Sequence, residues 1–131
     1  MIGVSGCTGF IGGRLTASFA ADGFPWIGLS RRPSCDENFR RIGLEDTDSL
    51  VPILAGLSAI FHCGGYAHAF SSPSAEDANR HWAVNFNGTR NLVEAAGMAG
   101  IRCFVFLSSV KAMAVPGVIY ADEDFPGEPE T

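Results

Sequence analysis

The chain has 131 residues, of which 47% are apolar and 18% charged, and its formal net charge is −5. This length and apolar content predict one folded domain with a sizeable core, and they exclude fibrous and disordered chains. The acidic balance argues against nucleic-acid partners, and no apolar run approaches the ~20 residues that cross a bilayer, so we expect a cytoplasmic protein without membrane partners.

The first stretch, Met1–Gly13, reads Met-Ile-Gly-Val-Ser-Gly-Cys-Thr-Gly-Phe-Ile-Gly-Gly. A short apolar run reaches a turn with glycines at Gly6, Gly9 and Gly12, and a helical pattern follows. Glycine tolerates positive φ and has no Cβ, so the turn can lie against a pyrophosphate while the helix start directs N–H groups at it. The stretch predicts a strand, a nucleotide-binding turn and a helix. A tight strand-to-helix connection without a ligand is the alternative.

The following segment predicts two more strands. Apolar residues recur at helical spacing from Ile11 to Phe19, and Gly23 ends that helix. Trp26–Ser30 is a second strand, and a polar loop leads to a weak third strand at Arg41–Leu44. Two short strands joined by a helix form a unit whose strands pair in parallel.

The middle of the chain repeats the alternation. Asp46 predicts the N-cap of a helix with an apolar face from Leu50 to Leu57, and Ser58–Cys63 is a fourth strand. Residues 64–74 are small and predict a loop.

A long helical pattern covers residues 75–98, and either Gly97 or Gly100 is expected to end it. Its apolar side includes Trp82, Phe86, Leu92 and Ala96. Cys103–Leu107 is a fifth strand. Residues 115–131 hold three prolines and five acids and predict an acidic, Pro-rich loop.

The alternation predicts an α/β fold: a doubly wound, parallel, Rossmann-type sheet in the order 3-2-1-4-5 that occupies residues 1–114. Such sheets bind ligands at the carboxyl ends of their strands. We therefore expect the site to be assembled from Gly6–Gly12, Ser30–Arg32, His62–Tyr66 and Ser108–Ser109.

Four motifs follow one another in the chain: Ser5–Gly12, Ala59–Gly65, Ala83–Ala96 and Phe104–Lys111. The first resembles the Gly-x-x-Gly-x-x-Gly turn of the extended short-chain dehydrogenase/reductases, the NAD-dependent epimerase/dehydratase family. The second is similar to that family's strand-four end, and the third to its Asn-x-x-Gly-Thr-x-Asn-Leu helix. The fourth looks like its strand five, where a Ser or Thr begins the catalytic set.

The resemblance implies the cofactor-binding half of an NAD(P)-dependent nucleotide-sugar epimerase or dehydratase, of the 4-epimerase type. In such enzymes a hydride passes from a sugar carbon to the nicotinamide and leaves a transient ketone. A nucleotide-sugar substrate and a homo-oligomer are implied for the full-length enzyme. A non-catalytic NAD(P)-binding regulatory or redox-sensing module is the alternative.

One part of the family pattern is absent. Its acid/base is a Tyr followed four residues later by a Lys, whose charge lowers the pKa of the phenol. The one lysine here is Lys111, four residues after Leu107, and neither Tyr66 nor Tyr120 has a lysine at that spacing. We expect a truncated chain, inactive alone, whose Tyr, Lys and substrate-binding part lie beyond residue 131.

The resemblance also assigns individual residues. It implies that Ser109 is the catalytic hydroxyl, with a serine that merely ends a strand as the alternative. The implied cofactor-binding residues are Gly6, Thr8, Gly9, Phe10, Ile11, Gly12, Ser30, Arg31, Arg32, Leu44, Glu45, His62, Cys63, Gly64, Gly65, Asn85 and Ser108. No metal site is predicted, because the histidines show no ligand spacing and the four cysteines are typical of reduced, buried residues.

Some of these residues have a structural alternative. His62 ends a buried strand and can be a hydrogen-bonded core histidine. Asn85 stands on the apolar helix side, which predicts a buried bond to the loop after strand four or five. The acid that often meets adenine after strand three is absent at Gly43 and Leu44, leaving main chain, Glu45 or Asp46 for that contact.

The end of the second strand predicts the cofactor. NAD enzymes place there an Asp or Glu that bonds the ribose hydroxyls and repels a 2′-phosphate. Here Ser30 is followed by Arg31 and Arg32. A guanidinium can grip a phosphate with two charge-assisted bonds, so we predict NADP, with Arg31 on the 2′-phosphate and Arg32 stacked on adenine. NAD with two solvated arginines is the alternative.

Overall fold

A computed structural model describes residues 1–32, 37–66, 75–109 and 124 of the chain. Its strands are β1 (Ile2–Ser5), β2 (Trp26–Ser30), β3 (Phe39–Arg41), β4 (Ala59–His62) and β5 (Cys103–Phe106). Its helices are α1 (Phe10–Ala21), α2 (Thr47–Leu54), α3 (Ala75–His81) and α4 (Thr89–Met98), and a π-helical segment, Trp82–Gly88, joins α3 to α4. Within these ranges, no helix has the length and apolar character needed to span a bilayer.

The five strands form one parallel sheet in the order β3-β2-β1-β4-β5, which confirms the predicted topology. Ser5 at the end of β1 is in register with Leu29 of β2 and with His62 of β4. The carboxyl ends of the three central strands therefore meet at one edge of the sheet. The loops that leave this edge are the ones that the sequence assigns to the site.

Helices cover both faces of the sheet. Ile27 and Ile60 are in register with Gly3 and project to the face where they join Leu50 and Leu92, from α2 and α4, in the main core. On the opposite face, Phe61 meets Phe19 of α1 with ring centroids 5.4 Å apart. This arrangement is the doubly wound fold that the alternating pattern predicts.

Helix α2 is bounded by two side chains. The Asp46 carboxylate accepts a hydrogen bond from the Ser49 N–H at 3.0 Å, which confirms Asp46 as the N-cap. At the other end, Arg40 of β3 donates to the carbonyl oxygens of Ile53 and, at 2.9 Å, Ala55. A cation at a helix C-terminus also complements the helix dipole. Strand β3 is thereby fixed to α2.

The third strand begins and ends earlier than predicted. It covers Phe39–Arg41 rather than residues 41–44. The Phe39 ring packs over Gly28 of β2, where a Cβ would lie 2.7 Å from the ring, and stands edge-on to Trp26 at 6.2 Å. This aromatic contact with β2 was not evident in the local pattern, which favoured the apolar residues that follow.

The long predicted helix is interrupted by the π-helical segment, and part of its predicted apolar side is wrong. Trp82 is 62% exposed and Phe86 48% exposed, whereas Leu92 and Ala96 are buried as expected. A π turn closes hydrogen bonds one residue further along than an α turn, so it shifts the buried stripe out of the simple periodicity. Gly100, with φ +72°, terminates the helix as predicted.

Candidate functional site

A cavity of about 570 Å³ lies at the carboxyl ends of the strands. Its walls come from the turn after β1, the end of β2, the loop after β3, the loop after β4 and the π-helical segment. The volume is in the range of sites for small molecules and cofactors. Predicted residues in its lining are Gly6, Thr8, Gly9, Ser30, Arg31, Arg32, Leu44, Glu45, His62, Cys63, Gly64 and Gly65.

Several predicted residues are not part of this lining. Phe10, Ile11 and Gly12 belong to the first turn of α1 and stand beside the cavity. Ser108 and Ser109 are exposed and follow β5. Lys111 is outside the described residues, as are Tyr120 and His68.

At two positions of the turn, Gly6 and Gly12, a side chain would clash with neighbouring backbone atoms. Gly6 has φ +68°, and a Cβ on it would lie 2.6 Å from the Gly64 nitrogen, so the turn abuts the loop after β4. A Cβ on Gly12 would lie 2.8 Å from the Gly6 carbonyl carbon. Gly9 differs, because its nearest neighbour within 4 Å would be the Gly6 oxygen, at 3.2 Å, and it is exposed to the cavity. Gly9 is thus less tightly enclosed by backbone than Gly6 and Gly12, and it borders the cavity.

The start of α1 can receive an anion. Gly9 is the N-cap and has no side chain to cap the helix, and the first turn contains no acidic residue. The first bond of the helical ladder runs from the Gly13 N–H to the Gly9 oxygen at 2.9 Å. The preceding N–H groups of residues 10–12 are therefore outside the ladder, with the positive end of the helix dipole behind them. A diphosphate is a suitable ligand for this arrangement.

The end of β2 presents positive charge to the same cavity. The Ser30 hydroxyl accepts a hydrogen bond from the Arg32 backbone N–H at 3.1 Å. The Arg31 and Arg32 side chains are exposed, and no ion pair joins either of them to a carboxylate within the described ranges. Both guanidinium groups are thus available to an anionic ligand.

His62 borders the cavity but is almost completely buried. It is 1% exposed, its Nδ1 is hydrogen-bonded to the Ser5 hydroxyl, and its Nε2 is 3.0 Å from the Thr89 hydroxyl. Burial lowers the pKa of His62, which keeps the ring neutral at pH 7. These bonds tie β1, β4 and α4 together and match the structural alternative considered from the sequence.

Asn85 fastens the loop after β4. Its Oδ1 accepts from the Tyr66 N–H at 2.7 Å, and its Nδ2 donates to the Tyr66 carbonyl at 2.9 Å. The predicted loop partner is correct, but the predicted burial is wrong, because Asn85 is exposed. Tyr66 in turn donates its hydroxyl to Asp77 of α3 at 2.9 Å. Asn85 thereby holds the residues that follow Gly64 and Gly65.

The helix contributes lining residues that the sequence analysis missed. Ala83, Asn87 and Asn91, spaced four apart, all line the cavity. Asn91 is 8% exposed and donates from Nδ2 to the Leu44 carbonyl at 2.9 Å, which fixes the loop after β3. The i, i+4 spacing from Ala83 was the signal that could have identified them.

The described cysteines differ in their environments. Cys7 is buried beside Gly28, and burial raises the pKa of the Cys7 and Cys63 thiols, so both remain protonated at pH 7. Cys103 is exposed on β5, so the prediction that it is buried was wrong. Cys35 lies outside the described residues.

Comparison with known proteins agrees with this geometry. The sequence profile of the NAD dependent epimerase/dehydratase family matches residues 2–131. A 3 beta-hydroxysteroid dehydrogenase/Delta 5-->4-isomerase of Mycobacterium tuberculosis is 29% identical over 94% of this chain and 35% of its own length. The chain therefore spans about a third of the length of that relative.

Two solved structures have the same fold. A short-chain dehydrogenase/reductase superfamily protein from Agrobacterium tumefaciens with bound NAD superposes with a TM-score of 0.82 and 35% identity, over 100% of this chain and 40% of that one. The UDP-glucose 4-epimerase of Thermus thermophilus in complex with NAD gives a TM-score of 0.78 and 26% identity, over 98% and 44%. With the family profile matched along almost its whole length, this chain belongs to the NAD-dependent epimerase/dehydratase family.

Proposed function

We propose that this chain is the cofactor-binding part of an NAD(P)-dependent enzyme that acts on a nucleotide sugar. The observation that carries the proposal is one cavity in which Gly9 and the uncapped start of α1 face the exposed arginines after β2. An anion-binding helix start at one wall and positive charge at another suit a dinucleotide with a central diphosphate.

Each wall has a separate binding role in this proposal. The N–H groups at the start of α1 bind the diphosphate, and Gly9 allows its close approach. Ser30 and Arg31 meet the adenosine ribose, and Gly64 and Gly65 form the wall next to the reacting half of the cofactor. When bound, the nicotinamide supplies the acceptor for a hydride from the substrate. Ser109 is proposed as the hydroxyl that bonds the reacting oxygen of the substrate.

We infer NADP as the preferred cofactor. The relevant residue at the end of β2 is Ser30, which carries no charge to repel a 2′-phosphate, and Arg31 beside it is exposed to the cavity. The related structures named above hold NAD, and NAD is the alternative.

The substrate class rests on the resemblance of Phe104–Lys111 to 4-epimerases and on the fold shared with a UDP-glucose 4-epimerase. A sterol is the competing class, because the Mycobacterium relative is a hydroxysteroid dehydrogenase. A non-catalytic redox-sensing module remains the alternative outside enzymes. A Tyr-x-x-x-Lys pair encoded shortly after Thr131 in the parent gene supports the enzyme, and its absence there supports the module.

Calorimetric titration of NAD and NADP tests the cofactor assignment. The wild-type chain is expected to bind NADP at least about tenfold more tightly, a difference of about 1.4 kcal/mol. Arg31→Ala should abolish that preference by weakening NADP alone. Arg41→Ala is the matched control, because Arg41 is exposed at the end of β3 but is not part of the cavity lining. Equal affinities in wild type, or an unchanged ratio in Arg31→Ala, contradict the NADP assignment.

A further inference from the structure

Three asparagines lie between Trp82 and Met98, and they differ in what their amides contact. The Asn85 amide is bonded on both sides to the Tyr66 backbone, and Asn91 donates to the Leu44 carbonyl. Asn87 is half-buried and lines the cavity, and within the described ranges no protein group hydrogen-bonds its side chain. Its amide is therefore positioned for a ligand.

The neighbours of Asn87 show which wall it belongs to. A Cβ on Gly88 would lie 3.1 Å from the Leu44 Cβ, so the helix packs closely on the loop after β3. One turn later, Asn91 bonds the Leu44 carbonyl at 2.9 Å. Asn87 directly precedes Gly88 and lies four residues before Asn91, and it lines the cavity together with Leu44 and Glu45.

The lining near Leu44 also includes buried apolar side chains. Leu29 is 1% exposed and Ile42 4% exposed, and both line the cavity beside Leu44. Apolar side chains provide contact for the faces of a planar ring, and one amide at the margin provides a donor and an acceptor for its edge. An asparagine amide matches adenine in this way, because it can accept from the exocyclic amino group and donate to a ring nitrogen.

We propose that Asn87 hydrogen-bonds the N6/N7 edge of the adenine ring, accepting from the amino group and donating to N7. It thereby takes the role for which the loop after β3 has no acid at Gly43 or Leu44. This inference rests on the proposed function, namely that the cavity binds a nicotinamide dinucleotide. Glu45 is in the same wall but can only accept, so it cannot make the paired contact.

The proposal predicts discrimination between adenine and hypoxanthine. At the same edge of hypoxanthine a carbonyl oxygen replaces the amino group, so two acceptors, O6 and N7, face the Asn87 amide. Whichever way the amide is turned, one acceptor opposes its oxygen, and a buried polar group without a partner is costly. Wild type should bind the adenine form of the cofactor about tenfold more tightly than the hypoxanthine form.

Calorimetric titration with NAD and NADP, each beside its hypoxanthine analogue, tests this. Asn87→Ala should reduce the preference to about twofold or less by weakening the adenine cofactors alone. Glu94→Gln, an exposed replacement on α4 outside the cavity lining, should keep the wild-type ratio. Thermal denaturation verifies that both variants fold like wild type.

An unchanged ratio in Asn87→Ala overturns the inference, and so does a ratio that disappears in Glu94→Gln. Wild type that binds adenine and hypoxanthine forms equally well also overturns it, while the proposed function survives. Wild type that binds no dinucleotide at all contradicts the proposed function and the inference together.

Discussion

The three glycines of the turn after β1 form one sequence motif, but each position is a glycine for a different physical reason. Gly6 adopts positive φ against the loop after β4, and Gly12 leaves no room for a Cβ against the Gly6 backbone. Gly9 has an extended backbone, with φ −84° and ψ 176°, that any residue can adopt. Of the three glycines, Gly9 is the least tightly enclosed by backbone, and it borders the cavity.

Alanine substitutions should separate these two roles. Gly6→Ala and Gly12→Ala should each lower the free energy of unfolding by about 2–4 kcal/mol, because backbone must move. Gly9→Ala should change it by less than about 1 kcal/mol, yet weaken NADP binding at least about tenfold. Chemical denaturation and calorimetry measure both quantities, and a Gly9→Ala chain that binds NADP like wild type would refute the assignment.

His62 should make stability depend on pH. Its folded pKa lies below the unfolded value of about 6.5, so between these two values the unfolded chain binds more protons. The stabilisation is complete above about pH 6.5 and is lost as pH falls through the folded pKa, with a slope of up to about 1.4 kcal/mol per pH unit. Denaturation between about pH 5 and 7 measures it.

The variant His62→Gln replaces the imidazole with an amide. The amide can still donate and accept hydrogen bonds but is not protonated in this pH range. It should be less stable at pH 7 and should lose this slope. His81→Gln, a replacement on α3, is the matched control and should keep it. Identical slopes in wild type and His62→Gln would show that His62 is not the titrating group.

At the scale of elements, the sequence was sufficient to predict the features that have a local signal. Asp46 as N-cap, Gly100 as terminator and the strand order follow from capping chemistry and from the alternation of strand and helix. The start of β3 was missed because Phe39 is placed by its packing on Gly28, a contact between residues distant in sequence.

The π-helical segment limited the prediction of the site in the same way. Trp82 and Phe86 appeared to face the core, and Asn87 was not assigned, because a regular helical period was assumed through residues 82–88. Asn85 bonds the loop after β4 as predicted, but in this segment its side chain is exposed rather than buried.

Two elements expose apolar surface and predict self-association. The Trp82 and Phe86 rings stack on the helix surface with their centroids 4.4 Å apart. Phe106 of β5 is 49% exposed, and β5 pairs with β4 and with no other described strand. An uncovered strand edge favours pairing with another chain, so we expect wild type to associate through β5.

Light scattering at high concentration measures this association. Phe106→Lys should lower the apparent mass, and Trp82→Lys, which places the same charge on the helix surface, should leave it unchanged. A reduction only in Trp82→Lys would move the interface to the helix, and a monomeric wild type would refute self-association.

At the scale of the whole molecule, the chain has a cavity at the carboxyl ends of its strands, and its sequence contains no Tyr-x-x-x-Lys pair. General acid–base catalysis typically contributes ~10²–10⁴-fold in rate, so the 131-residue chain should not turn over UDP-sugars or sterols with NAD or NADP. Absorbance of the reduced nicotinamide and product chromatography are the assays. Turnover by the purified chain would contradict the catalytic set that the resemblance implies.

The central claim is that the cavity at the carboxyl ends of the strands binds a nicotinamide dinucleotide. The most direct test is a heteronuclear NMR titration of the isotope-labelled chain with NADP and with NAD. We predict the largest amide shift changes at Gly6–Gly12, Ser30–Arg32 and Gly64–Gly65, with α2 little affected. No saturable change at millimolar cofactor, or changes concentrated at Trp82–Phe86 instead, would contradict the account.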